Sequence, residues 1–82
     1  MYKTGRIKVV AVPGELGEIR TDEGYMIYYG VDDIDELAFK RWKKKSLGEG
    51  DHVHFRVSKE NFAVDLAPSG VAGAKQRGGK NI

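Results

Sequence analysis

The segment Phe39-Lys40-Arg41-Trp42-Lys43-Lys44-Lys45 sets the chain's single Trp among five cationic side chains, with no acid between them. A ring that can stack on a base, flanked by ammonium and guanidinium groups for phosphates, suits contact with single-stranded nucleic acid. Lys75, Arg77 and Lys80 repeat the cationic part in a Gly-rich C-terminal stretch that also lacks acids. Tyr28 supplies a further exposed-strand ring and Lys8 a further cation. Two plainer uses of the Trp42 segment stand beside this one. It also suits a solvated loop whose Trp42 or Phe39 caps one end of the domain, and a basic surface that docks on an acidic protein.

Other chemistry is thinly supplied. Without Cys there are no disulfides, thiolate zinc sites or thiol nucleophiles. His52 and His54 stand two apart, on one face of a strand, but no third metal ligand accompanies them. Asp32, Asp33, Asp35 and Glu36 lack the Gly and final Glu of a calcium loop, and helix capping accounts for them more simply. No glycine run has the strand and helix flanks of a phosphate-binding loop, and no Ser, His and Asp are spaced as a triad. The expectation is a non-enzyme with no cofactor and no metal.

Eighty-two residues make one modest core, and 32% charged residues with 40% hydrophobic ones suit a soluble globular domain. No apolar leader and no membrane-length apolar run is present, so a cytoplasmic protein without membrane contact, and a monomer, is expected. The net charge of +2 conceals a separation of sign: residues 14 to 36 carry eight acids against Arg20 alone. A negatively charged flank of that kind suits a basic protein partner.

The elements that must carry these residues read as strands. Arg6 to Val12 is rich in β-branched residues and stops at Pro13-Gly14. Leu16 to Thr21 forms a second strand with Leu16 and Ile19 as its larger apolar residues, and Asp22-Glu23-Gly24 turns it into a third, Tyr25 to Val31. Asp33 can cap a short helix, with Glu36 completing the box and Ile34, Leu37, Ala38 and Arg41 sharing a face. Val53, Phe55 and Val57 alternate with His52, His54 and Arg56 in a fourth strand, the sharpest period of two in the chain. Phe62, Val64 and Leu66 alternate as a fifth, ended by Pro68. Five short strands, with a long connection between third and fourth, predict an all-β Greek-key barrel with one short helical turn. Residues 1–68 form that domain, and 69–82 a flexible, disordered basic Gly-rich tail.

Several of these segments resemble cold-shock domains, a family of OB-fold barrels. Thr4-Gly5-Arg6-Ile7-Lys8 is similar to the family's opening T-G-x-[IV]-K. Gly17-Glu18-Ile19 with Asp22-Glu23-Gly24 resembles its G-F-[IV] strand and acidic turn, and Leu47 to Phe55 resembles L-x-x-G-x-x-V-x-F. The resemblance covers about residues 3 to 67 and implies a five-stranded OB-type barrel that binds single-stranded RNA or DNA on exposed rings. The ring positions themselves depart from the pattern. The first-strand Trp and Phe positions read Val9 and Val10, and the first motif reads Gly14-Glu15-Leu16-Gly17-Glu18-Ile19, with Glu18 in a ring's place. The second motif reads Ile27-Tyr28-Tyr29-Gly30-Val31, which keeps Tyr28 as a platform and places Tyr29 in the core. Together with the acids nearby, this predicts that the usual aromatic face is lost.

The sequence therefore predicts a small single-stranded nucleic-acid-binding protein, RNA preferred, in the manner of an RNA chaperone or regulator of transcription or translation, that binds through its basic Trp-containing loop and tail rather than the usual aromatic face. Trp42, Lys40, Arg41, Lys43, Lys44, Lys45, Tyr28, Lys8, Lys75, Arg77 and Lys80 are its expected contacts. The alternative is an interaction module that kept the barrel, lost nucleic-acid binding and meets a protein through its acidic face.

Overall fold

A computed structural model describes residues 2–41 and 47–69, with the side chains of 39–41 left out. Five strands form one antiparallel sheet: β1 (Tyr2–Val9), β2 (Gly17–Thr21), β3 (Met26–Tyr29), β4 (His52–Val57) and β5 (Ala63–Pro68). A 3-10 turn (Val31–Asp33) and a short helix, α1 (Glu36–Arg41), follow β3. Among the described residues no helix is long and apolar enough to cross a membrane.

The strand order is β3-β2-β1-β4-β5, so the first strand is the middle of the sheet. The outer strands curl toward each other, and isolated parallel bridges join Tyr28 to Phe62 and Ile34 to Leu66. The Asp35 N–H adds a bond to the Leu66 carbonyl at 2.8 Å. The result is an all-β, curled half-barrel. Its concave side holds Ile7, Ile19, Ile27, Tyr29, Leu47, Val53, Phe55, Ala63 and Leu66, with Val31, Ile34 and Val57 partly buried against them.

Local chemistry explains the turns. Gly24 takes φ +100° between β2 and β3, a region open to glycine, and the Thr21 N–H reaches the Tyr25 carbonyl at 2.7 Å. Between β4 and β5 the left-handed residue is Asn61 (φ +68°), one of the few side chains that tolerate it. Ser58 clamps this turn through its backbone N–H to Phe62 O (2.8 Å) and its Oγ, which accepts from Phe62 N (3.1 Å).

Several boundaries differ from the sequence reading. The first strand starts at Tyr2 and stops at Val9, leaving Val10 and Val12 exposed, because Tyr2–Arg6 pairs with β4. Leu16, read as the first residue of the second strand, lies just before β2 and is half exposed. Asp33 does not cap α1. Its carboxylate accepts the Gly30 N–H at 2.8 Å and closes the 3-10 turn, while Asp35 Oδ1 accepts the Ala38 N–H of the helix at 3.2 Å. Leu37, assigned to the packed helix face, is 69% exposed.

In β5 the buried residues are Ala63, Leu66, Ala67 and Pro68, not the alternating set Phe62, Val64 and Leu66. The register slips between His54↔Ala67 and Arg56↔Val64, so β5 carries one extra residue. That bulge contains Asp65 at φ +57°, and the Arg56 guanidinium binds its carboxylate, with Nε to Oδ2 at 2.7 Å. A bulge moves the following side chains to the opposite face, which no simple alternation anticipates.

Candidate nucleic-acid interface

Residues directly opposite in an antiparallel sheet share a face. On the convex side Tyr28 of β3 lies opposite Glu18 of β2, which lies opposite Val9 of β1. The β1–β2 register slips between Ile7 and Val9, so Lys8 and Val9 both stand against Glu18 and both are exposed. A two-against-one bulge of this kind twists the strand and turns an extra side chain outward, here Lys8. The next row across the sheet is Met26, Arg20, Arg6 and His52. Tyr28 is 46% exposed, a large ring lying open on the surface.

Its neighbour Tyr29 faces the core and is fully buried. Gly17 lies opposite Tyr29, and the ring occupies the space a side chain there would need. The Tyr29 oxygen accepts the Ala11 N–H at 2.9 Å, and burial pushes its phenol pKa up, an effect that this hydrogen bond opposes in part. Anchoring one residue of β3 inward fixes the next one outward, so the Gly17–Tyr29 contact sets the orientation of Tyr28.

The electrostatics of this face differ from the sequence expectation. The eight acids of residues 14 to 36 do not form one surface. Asp22 and Glu23 occupy the β2–β3 turn and are engaged. Thr4 Oγ1 donates to Asp22 Oδ2, His52 Nε2 lies 2.9 Å from the same oxygen, and Lys3 Nζ meets Glu23 at 3.1 Å. These bonds, Thr4's first, hold the Asp22 carboxyl below the usual carboxylate range. Asp32, Asp35 and Glu36 line a shallow depression beside Asp65, at the 3-10 turn and α1. Glu15 and Asp33 line an adjoining depression with Asp32, and Glu18 stays among the convex residues near Tyr28, against Lys8, Arg6 and Arg20.

Those three cations have no carboxylate ion pair among the described residues. Arg6 Nη1 donates to the Gly50 carbonyl at 3.1 Å, and Arg20 Nη1 reaches the Gly24 carbonyl at 3.4 Å. Both bonds orient the guanidinium groups, and the Arg6 charge also acts on the nearby Asp22 carboxylate. Around the open ring, three cations thus stand against the one acid Glu18, the combination of features that single-strand binding calls for.

Of the expected contacts, Tyr28 and Lys8 come together here. Lys40 and Arg41 belong to α1. Trp42, Lys43, Lys44, Lys45, Lys75, Arg77 and Lys80 lie outside the described residues, as do the tail positions after Ser69. Sequence reasoning missed Arg6 and Arg20. The available signal was the alternation of Arg6 and Lys8 about the inward Ile7, yet the meeting of Arg6 with Arg20 depends on hairpin register. His52 and His54 have identifiable partners: Asp22 for the first, and for the second the ring of Tyr2, stacked at 5.1 Å between centroids. No group of three or more His, Cys, Asp or Glu among the described residues is placed to hold a metal ion.

Compared with known proteins, the chain matches no family model and no curated protein sequence.

Proposed function

We propose that this chain is an OB-type, cold-shock-like barrel that binds single-stranded RNA or DNA on the convex face of β1, β2 and β3. The fold part of this reading draws support from the sheet order and from the parallel meeting of β3 with β5, which suit a five-stranded, partly open Greek-key barrel. The observation that carries the function is the row that sets exposed Tyr28 beside Lys8, with Arg20 and Arg6 in the adjoining row. A base stacks on Tyr28, and Lys8, Arg20 and Arg6 meet the phosphates on either side. Glu18 repels phosphate next to the ring and steers the backbone toward the arginine row. The basic segment around Trp42 and the Lys75–Lys80 tail add cations and one more ring to the same ligand.

The test is a fluorescence titration of the full chain with oligo-dT and oligo-U over a range of salt. Tyr28→Ala loses one stacked base, ~1–3 kcal/mol. Three phosphates neutralised on a single strand give a log–log salt slope of about −2. Affinity that is absent, or that ignores both salt and Tyr28→Ala, refutes the proposal. In that case a basic protein partner at the acidic depression near α1 becomes the reading to pursue.

A further inference from the structure

The convex face continues past Tyr28 along β1. Its outward residues after Lys8 are Arg6, Thr4 and Tyr2, and β4 runs beside them with His52 opposite Arg6, His54 opposite Thr4 and Arg56 opposite Tyr2. Tyr2 is 58% exposed, the most open aromatic ring among the described residues. One side of it rests on the His54 ring, with 20° between the planes, so the phenol is held in a fixed attitude with its other side open. Burial first, and the electrostatics of His52 beside it second, lower the pKa of His54, which keeps the ring under Tyr2 neutral near pH 7.

The ground between the two tyrosines suits a phosphate chain. Lys8, Arg20 and Arg6 lie on it, and Arg56 flanks Tyr2, fixed by Asp65. Its acid, Asp22, is engaged by Thr4 and His52. Six residue steps of β1 separate Tyr2 from Lys8, about 20 Å at the strand rise of ~3.3 Å.

We infer that the strand bound at Tyr28 runs along β1 to a second stacking position, Tyr2 supported by His54, so that the ligand is a single strand long enough to span that interval with a base on each ring. This rests on the nucleic-acid reading above and extends the site to a part of the sheet, β1 with β4, that the reading does not use.

The experiment compares binding of dT8 and U8 to the wild-type chain and to Tyr2→Ala, Tyr2→Phe and Tyr28→Ala, with melting temperatures measured alongside. Tyr2→Ala should weaken binding about five- to hundredfold, the equivalent of one stacked base. Tyr2→Phe, which keeps the ring, should stay within about twofold of wild type, since the hydroxyl adds little to a stack. Tyr2→Ala with wild-type affinity, while Tyr28→Ala is weakened, overturns the inference and leaves the parent reading standing. Equal losses in Tyr2→Ala and Tyr2→Phe also overturn it, because the hydroxyl rather than the ring would then be at work. A wild-type chain that binds neither oligonucleotide takes down both readings.

Discussion

Replacing Gly17 by Ala tests how the face around Tyr28 is held. A Cβ at this position falls 2.6 Å from the Ala11 nitrogen and 2.6 Å from Tyr29 Cζ, with Cε1 nearer still. Non-bonded carbons settle at roughly 3.5–4.0 Å, so the added methyl overlaps both by about 1 Å. Neither neighbour yields easily: Ala11 N is backbone, and Tyr29 is fully buried. Overpacking of this kind costs ~1–3 kcal/mol. Moving the ring also breaks the 2.9 Å bond from Ala11 N–H to the Tyr29 oxygen, leaving a buried donor unpaired for a further ~1–3 kcal/mol. The sum, about 2–6 kcal/mol, is a large part of the ~5–15 kcal/mol that holds a small domain folded. In a domain this size 1 kcal/mol moves the melting temperature by ~4–8 °C, so Gly17→Ala should melt at least about 10 °C lower. Gly48→Ala is the control, since the neighbour that the added Cβ meets, Asp51 Oδ2, lies 3.8 Å away and φ is not in the left-handed region. It should be neutral or gain ~0.4–1 kcal/mol through the unfolded chain. Urea denaturation, with the tyrosine near-UV dichroism as a second signal, reads both variants. A Gly17→Ala chain that unfolds with Gly48→Ala would refute the claim that this contact holds Tyr29.

Phe55, with no exposed surface at the centre of β4, should cost ~3–5 kcal/mol as Phe55→Ala, measured by the same urea titration. At Asp65 the left-handed backbone costs an ordinary residue ~1–2 kcal/mol, which Asp65→Gly relieves while losing an exposed ion pair worth ~0–1 kcal/mol. Asp65→Gly should therefore unfold within about 1 kcal/mol of wild type, whereas the β-branched Asp65→Val should be clearly weaker. His54 has its pKa lowered below the ordinary 6.5, chiefly by burial, so the unfolded chain takes up its proton first. Its contribution is present above about pH 6.5 and is lost as pH falls through the lower folded value; urea midpoints across pH 5–8 should show this, and His54→Gln should flatten it. Asp22, lowered from 3.8, contributes above that value and is lost in more acid solution, so Asp22→Asn should remove that part of the acid dependence.

Where a side chain's surroundings come from its own strand, the sequence was enough. Val53 and Phe55 alternate with polar residues and are buried, and Tyr28 and Tyr29 part to opposite faces as the period of two requires. Where two strands must be aligned first, it was not. The Val9-Val10 and Val12 run has the composition of a buried strand, yet those side chains lie in the open, because β1 is placed by its pairing with β4 and leaves the sheet at Val9. The slip at Asp65 puts Ala63 in the core, a residue whose size gives no hydrophobic signal. The site shows the same division. Tyr28 and Lys8 were visible singly, while Arg6 and Arg20 became partners only through the β1–β2 register; of the acids of residues 14 to 36, Asp22 and Glu23 are taken up by Thr4, His52 and Lys3, whereas Glu15, Asp32, Asp33, Asp35 and Glu36 line two adjoining depressions.

The placement of β1 between β2 and β4 bears on how the chain is made. β1 needs two partners, and one of them, β4, joined by Tyr2↔Arg56, is synthesised well after β2 and β3. Until then a meander of three strands waits with one side of its earliest strand unpaired, and open strand edges invite pairing with other chains. Closing so long a loop is entropically slow, which places this protein among the slower small folders and exposes its nascent form to self-association.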